Sequence, residues 1–191
     1  MAKLNIGYVY PCTEALGPGK RYAIWVRGCN RRCLGCTSPE LQERMPETYR
    51  DVDELAGDIL STAGIDGVTV SGGEPLLQAE PLGILLRKVK ERRPGLNVIL
   101  FTGYSFYGLP PEMEMACLRD VDLLIDGEYK RELNDGVGLR GSGNQRFHYL
   151  SDALKPYAEE IERGRRKREI HLINELETLT IGIAPGRYNG K

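Results

Sequence analysis

Apolar runs closed by glycine alternate with segments of helical period through the middle of the chain. Four such runs are YAIWVRG over residues 22–28, GVTVSGGEP over 67–75, NVILFTGY over 97–104 and VDLLIDG over 121–127. Between them, 51–63 opens on an acidic turn and reads as a helix, 81–93 has apolar residues at helical spacing and stops before Pro94, and 111–120 is a third helical segment. This alternation predicts an α/β fold with a mainly parallel sheet and right-handed crossovers. The cores of these runs, VTV, VILF and LLI, are continuously apolar, as strands buried on both faces must be, so they belong at the centre of the sheet. A further strand is expected at 4–10. The stretches 169–174 and 178–183, separated by Glu175, Leu176 and Glu177, read as terminal strands or a hairpin. Residues 131–147 are rich in glycine, asparagine and serine and are expected to form a long, functional loop.

The length of 191 residues suits one domain, and no repeat or low-complexity linker divides it, so a single domain over 1–191 is expected. Acidic and basic residues nearly cancel, at 27 against 26, which gives no global field for nucleic acid or anionic lipid. The N-terminal stretch lacks an apolar run with a cleavage site, and no stretch approaches the ~18 apolar residues of a membrane span. A cytoplasmic protein with reduced thiols is expected, with neither nucleic acid nor membrane as partner.

Candidate chemistry follows the strands. Cys29, Cys33 and Cys36 come after the first run, Ser71, Gly72, Gly73 and Glu74 after the second, Thr102, Gly103 and Tyr104 after the third, and Asp126, Gly127 and Glu128 after the fourth. Ligands of open α/β sheets and barrels gather at the carboxyl ends of strands, so these clusters are predicted to line one mouth. Three of the five cysteines fall within eight residues, which in a reducing compartment points to a metal or cluster site rather than a disulfide. Iron–sulfur clusters usually take four thiolates, so three would leave one iron for another ligand. A zinc site completed by Cys12, or thiols that bind nothing, are the alternatives. The Gly-Gly-Glu turn offers backbone amides and one carboxylate, suited to the ammonium group of a zwitterion.

The C-x3-C-x2-C loop followed by Gly-Gly-Glu resembles the radical S-adenosylmethionine superfamily. RGCNRRCLGCTSPELQ, SGGEPLLQ, FTGY, VDLLIDGEYKRELND and LRGSGNQR occur in the order seen in the activating enzymes of anaerobic ribonucleotide reductase and their close relatives, a resemblance covering roughly residues 5 to 150. The resemblance implies an incomplete (β/α) barrel of the radical S-adenosylmethionine type. It implies a [4Fe–4S] cluster on Cys29, Cys33 and Cys36, with the unique iron chelated by the amino and carboxylate groups of S-adenosylmethionine. Gly72, Gly73 and Glu74 would hold the methionine amino group, with Ser71 and Gly35 in the cofactor-binding set and Thr102 and Asp126 near the ribose or cofactor. Many members carry an aromatic residue where this chain has Gly35, so the adenine contact must come from backbone or another strand.

The implied chemistry is reductive cleavage of S-adenosylmethionine to a 5′-deoxyadenosyl radical, which in these activators takes hydrogen from a glycine Cα of a large partner enzyme. An electron donor such as flavodoxin or ferredoxin is implied. Arg31, Arg32, Tyr104 and the 131–147 loop would lie near the opening that receives the partner. One alternative is a radical S-adenosylmethionine enzyme acting directly on a peptide or small metabolite. Another is a non-catalytic iron–sulfur or zinc module for binding or electron transfer.

Other features have plainer readings. Cys117 is expected to be a buried core thiol and Cys12 a surface thiol, with His148 and His171 hydrogen-bonded side chains rather than ligands. Residues 162–169 read as a solvated turn between a helix and a strand. Residues 17–20 lack the pattern of a phosphate loop. Asn144, Gln145 and Arg146 are open between a self-satisfied turn and a cofactor or partner contact.

Overall fold

A computed structural model describes residues 1–172 and 178–183. In chain order the elements are β1 (Lys3–Thr13), β2 (Arg21–Val26), β3 (Tyr49–Asp51), α1 (Val52–Ser61), β4 (Gly67–Gly72), α2 (Ala79–Arg92), β5 (Asn97–Phe101), α3 (Pro111–Cys117), β6 (Leu123–Asp126), β7 (Arg146–Tyr149), α4 (Ala158–Arg163), β8 (Arg168–Leu172) and β9 (Thr178–Gly182). The first seven strands form one sheet in the order β3-β1-β2-β4-β5-β6-β7, and β8 and β9 form a separate hairpin. The central strands β2, β4, β5 and β6 are mutually parallel. The flanking strands are antiparallel, β1 to β2, β3 to β1 and β7 to β6.

The expected strands and helices are present among the described residues, the strand expected at 169–174 being described as far as Leu172, and β1 runs three residues further than the pattern of 4–10 suggested. Two elements depart from expectation. β3 and β7 are edge strands of three and four residues, and β7 begins inside the stretch 131–147 read as loop. So short a run has no legible period; it becomes a strand because a neighbour's unpaired backbone is within reach. Residues 173–177, which include the expected Glu-Leu-Glu separator, lie outside the described residues.

Strand alternation sorts side chains onto two faces. Tyr22, Ile24, Val26, Val68, Val70, Val98, Leu100 and Leu124 share one core with the buried sides of the helices. Asp51 caps α1 by accepting from the Asp53 amide at 2.8 Å, and Val52, Leu55, Ala56 and Ile59 turn inward. On α2 the inward stripe is Leu82, Leu85, Leu86 and Val89, and the helix ends at Arg92, two residues before Pro94. The opposite face carries Ala23 and Trp25 of β2, Ile99 and Phe101 of β5, and Leu123 and Ile125 of β6. It is covered by Ala15 and Leu16, by Leu139, Leu154 and Ile161, and by Ile181 of the hairpin. No helix among the described residues is long and apolar enough to cross a membrane.

The amino ends of the parallel strands are tied by one buried cation. Arg21 is fully buried and donates to Thr69 Oγ1 at 3.1 Å, Val68 O at 2.8 Å, Asn97 O at 3.2 Å and Pro18 O at 3.4 Å, and also to Asn97 Oδ1. Thr69 Oγ1 in turn donates to Leu16 O. The guanidinium thus laces the β1–β2 loop to β4 and β5 and leaves the carboxyl ends of the strands for chemistry.

Candidate functional site

The cysteine loop leaves the carboxyl end of β2 and is pinned at its base. Gly28 N donates to Leu41 O and Cys29 N to Gln42 O, both at 2.9 Å, while Arg32 reaches Gln42 Oε1 and Glu43 Oε1. A turn from Cys33 O to Cys36 N, 3.1 Å, folds the last two cysteines back. All three thiols are half-buried and face one open cleft that also receives Ser71, Gly72, Gly73, Glu74, Thr102 and Gly103. The carboxyl ends of adjacent parallel strands therefore meet as expected.

Burial and neighbouring acidic groups act together on the thiols. Burial pushes the Cys29 thiol up, as do Glu74 and the other two cysteines, against a pull from the Arg31 amide, which donates to Cys29 Sγ at 3.3 Å. Burial likewise pushes Cys33 up, assisted by Glu128 and Cys36 and opposed by the Tyr129 amide. Three thiolates here would repel one another in a partly dry cleft unless iron supplied positive charge. Among the described residues no three His, Cys, Asp or Glu side chains are gathered to hold a single metal ion. Thiolates of a cluster each bind a different iron, so they stand further apart than ligands sharing one ion. Cys12 lies near the amino end of β2, where Thr13 pairs with Arg21, roughly 20 Å along the strands from the loop. It is exposed and does not complete a zinc site with the triplet.

Gly72 and Gly73 are required by close approach. A Cβ on Gly72, whose φ is +105°, would lie 2.6 Å from the Val26 backbone, and one on Gly73 would lie 2.5 Å from Gly28 O. The Gly73 and Glu74 amides donate to Val26 O and Gly28 O at 2.8 Å, so the amides the sequence offered as a ligand grip instead anchor the cysteine loop. What faces the cleft is the Glu74 side chain, almost fully buried and held by three donors. Oε1 accepts from Thr102 Oγ1 at 2.7 Å and Leu76 N at 3.0 Å, and Oε2 accepts from Gly103 N at 2.7 Å. Burial raises the Glu74 pKa, and these donors together with Arg31 oppose it. Arg31 stacks on Tyr104 at 4.3 Å, and its Nε is buried with no partner among the described residues.

Two expected site residues stand elsewhere. Asp126 is absent from the cleft lining; its carboxylate accepts from Phe106 N at 2.6 Å and sits 3.2 Å from His148 Nε2, and His148 stacks on Phe106. The cause is strand parity, which puts Asp126 on the helix side with Leu124 while Ile125 faces the other way. Gly35, with φ +73°, packs under Arg131, where a Cβ would lie 2.6 Å from Cδ. Asn144 and Gln145 hold backbone: Asn144 Nδ2 donates to Glu128 O, Gln145 Nε2 donates to Gly127 O, and Gln145 Oε1 accepts from the Gly141 and Ser142 amides. The self-satisfied turn is therefore what forms, although Gln145 also borders the cleft.

A family model described as a 4Fe-4S single cluster domain matches residues 15–148. The anaerobic ribonucleoside-triphosphate reductase-activating protein of Enterobacteria phage T4 is 36% identical over 156 residues, which is 79% of this chain and 97% of the relative. The chain belongs to this family of activating proteins. The protein of the same description from Escherichia coli (strain K12) is 31% identical over 157 residues, 77% of this chain and 99% of the relative. A pyruvate formate-lyase-activating enzyme from Staphylococcus aureus (strain USA300) is 44% identical over 93 residues, 45% of this chain and 36% of that enzyme. An iron–sulfur cluster comes with the family, and the three thiols sharing one cleft fit it.

Three further residues contribute to this activating-protein site. Trp25 and Phe101 wall the cleft from β2 and β5; their alternation with Ile24 and Leu100 was readable, had the strand faces been assigned. Gln78 accepts from Asn5 N at 2.7 Å and donates to Arg27 O at 3.1 Å, bracing β1 where its pairing with β2 is irregular.

Proposed function

We propose that this protein reductively cleaves S-adenosylmethionine and uses the product radical to install a glycyl radical on a partner enzyme of the anaerobic ribonucleotide reductase type. The observation that carries this reading is the shared cleft, in which Cys29, Cys33 and Cys36 face Glu74 across the ends of β2 and β4. The four parallel strands with their helices are read as the core of an incomplete (β/α) barrel, and 1–191 as a single domain. When bound, a [4Fe–4S] cluster supplies the electron that breaks the sulfur–C5′ bond, giving methionine and a 5′-deoxyadenosyl radical that takes hydrogen from a glycine Cα.

The residues divide the remaining work. Cys29, Cys33 and Cys36 would hold the cluster as thiolates, and the amino and carboxylate groups of the methionine would bind beside them in the same cleft. Glu74, held in place by three donors, attracts the ammonium; Arg31, whose Nε has no partner among the described residues, attracts the carboxylate. Trp25 and Phe101 exclude water from the cleft. Thr102 acts on Glu74 rather than on the ribose, and Asp126 shapes the loop after β5. The partner enters over the open side of the cleft, past Arg31, Arg32, Tyr104 and the 131–147 loop. An external donor such as flavodoxin or ferredoxin would reduce the cluster, and a reducing compartment, the cytoplasm, suits that step.

The test is anaerobic reconstitution with iron and sulfide, dithionite reduction and addition of S-adenosylmethionine. We expect a reduced-cluster paramagnetic resonance signal that the ligand perturbs, formation of 5′-deoxyadenosine, and loss of iron in Cys33→Ala. A cluster indifferent to S-adenosylmethionine, or full iron content in Cys33→Ala, would sink the assignment.

A further inference from the structure

The family model ends at residue 148, before α4 and the β8–β9 hairpin. The phage and Escherichia coli relatives are matched over 97% and 99% of their own length, yet the matches take in only 79% and 77% of this chain. The hairpin therefore calls for an account of its own. A two-stranded hairpin is marginal in water unless it packs on something, and this one packs beside the site.

Its inward face is apolar. Ile181 is fully buried with Ala15, Leu16 and Ala23, and Leu179 and Ile183 pack around the same cluster with Trp25 and Tyr10. Its fastening is polar and specific to β1 and the loop after it. Tyr10 Oη lies 3.1 Å from His171 Nδ1 with the rings 4.7 Å apart, His171 Nε2 lies 3.1 Å from Glu169 Oε2, and Glu169 Oε1 accepts from Glu14 N at 2.7 Å. Its far end reaches the chemistry, because Gly182 and Ile183 line the same cleft as Trp25, Cys29 and Glu74. The outer face, with Ile170 and Leu172 exposed, touches none of this.

We propose that the β8–β9 hairpin is a wall of the cofactor cleft, shielding Trp25 and the cluster from solvent and giving S-adenosylmethionine an apolar surface at Ile183. Without it the β2 side of the cleft would open to water, which weakens every electrostatic contact made there. The part concerning S-adenosylmethionine rests on the function proposed above; the shielding of the cluster does not.

The test compares anaerobically reconstituted full-length protein with Ile183→Ala, His171→Ala and, on the outer face, Leu172→Ala. Two quantities are read: the dissociation constant of radiolabelled S-adenosylmethionine by equilibrium dialysis, and the rate at which the cluster's visible absorbance bleaches in air. Ile183→Ala is expected to weaken binding about tenfold and to speed bleaching severalfold, with His171→Ala moving both in the same direction by loosening the fastening. Leu172→Ala should leave both unchanged. Inner-face variants that bind and bleach like the unsubstituted protein would overturn the proposal, as would a Leu172→Ala effect equal to that of Ile183→Ala. If Ile183→Ala fails to fold, His171→Ala decides. If the unsubstituted protein binds no S-adenosylmethionine, the functional reading fails while the bleaching comparison still decides whether the hairpin is a wall.

Discussion

Burial disfavours the charged form of Glu74 while three donors favour it, and Thr102 is central to that opposition. The Thr102 hydroxyl donates to Glu74 Oε1 and accepts from Tyr104 N at 3.1 Å, so it can point only one way. Replacing it with valine removes a donor from a buried charge, a loss of roughly 1.5–3 kcal/mol. Thr102→Val is expected to weaken S-adenosylmethionine binding about tenfold with iron content unchanged, and Thr102→Ser to restore it. Because the hydroxyl acts through the carboxylate, Thr102→Val should add nothing in a Glu74→Gln background; isothermal titration of the four proteins closes the cycle. Cys117 makes a second point at this scale. Burial, with Asp120 nearby, pushes its thiol up to about 12. In the unfolded chain the same thiol ionises near ~8.5, so its contribution to stability is complete below that pH and is lost as pH rises toward 12. Urea midpoints should fall above pH ~8.5 in the unsubstituted protein and fall less in Cys117→Ala.

At the scale of elements, helices and central strands were legible because each satisfies one period over many residues. Leu82, Leu85, Leu86 and Val89 could lie on one side of nothing but a helix. Edge strands and side-chain destinations were not legible. Asp126 reads as a site residue from its place after LLI, yet whether a strand's last residue faces the cleft depends on register against β5 and β7, which the local sequence does not carry. Gly83 is a similar case. Within an exposed helix, glycine to alanine is favourable by roughly 1 kcal/mol, but here α2 and α3 touch, and a Cβ would lie 1.7 Å from Ala116 O. Gly83→Ala is expected to destabilise the protein, by about 1–3 kcal/mol as overpacking does, and thermal unfolding gives the sign directly.

Over the whole molecule the parallel strands divide labour between their two ends. Arg21 and its acceptors lock the amino ends, while the carboxyl ends hold loops that brace one another through Gly73 to Val26, Glu74 to Gly28 and Gly103 to Glu74. Such a site should tighten as a unit. Amide hydrogen exchange measured with and without S-adenosylmethionine is expected to slow together in residues 28–38, 72–74 and 102–104, and to stay unchanged around Arg21. Slowing in only one of those segments would mean that the cleft is not a single cooperative site.

The sequence by itself determined the α/β class, the parallel core, the grouping of three cysteines and the family, since these depend on periodicity and on reactive side chains at short spacing. Only the tertiary structure decided that Cys12 stands far from the triplet, that Asp126 turns from the cleft, that the Gly-Gly-Glu amides anchor a loop, and that the terminal hairpin reaches the site. Each of those depends on which face a strand presents or on which distant backbone lies within hydrogen-bonding distance. Such relations arise between segments far apart in the chain, and no local stretch encodes them.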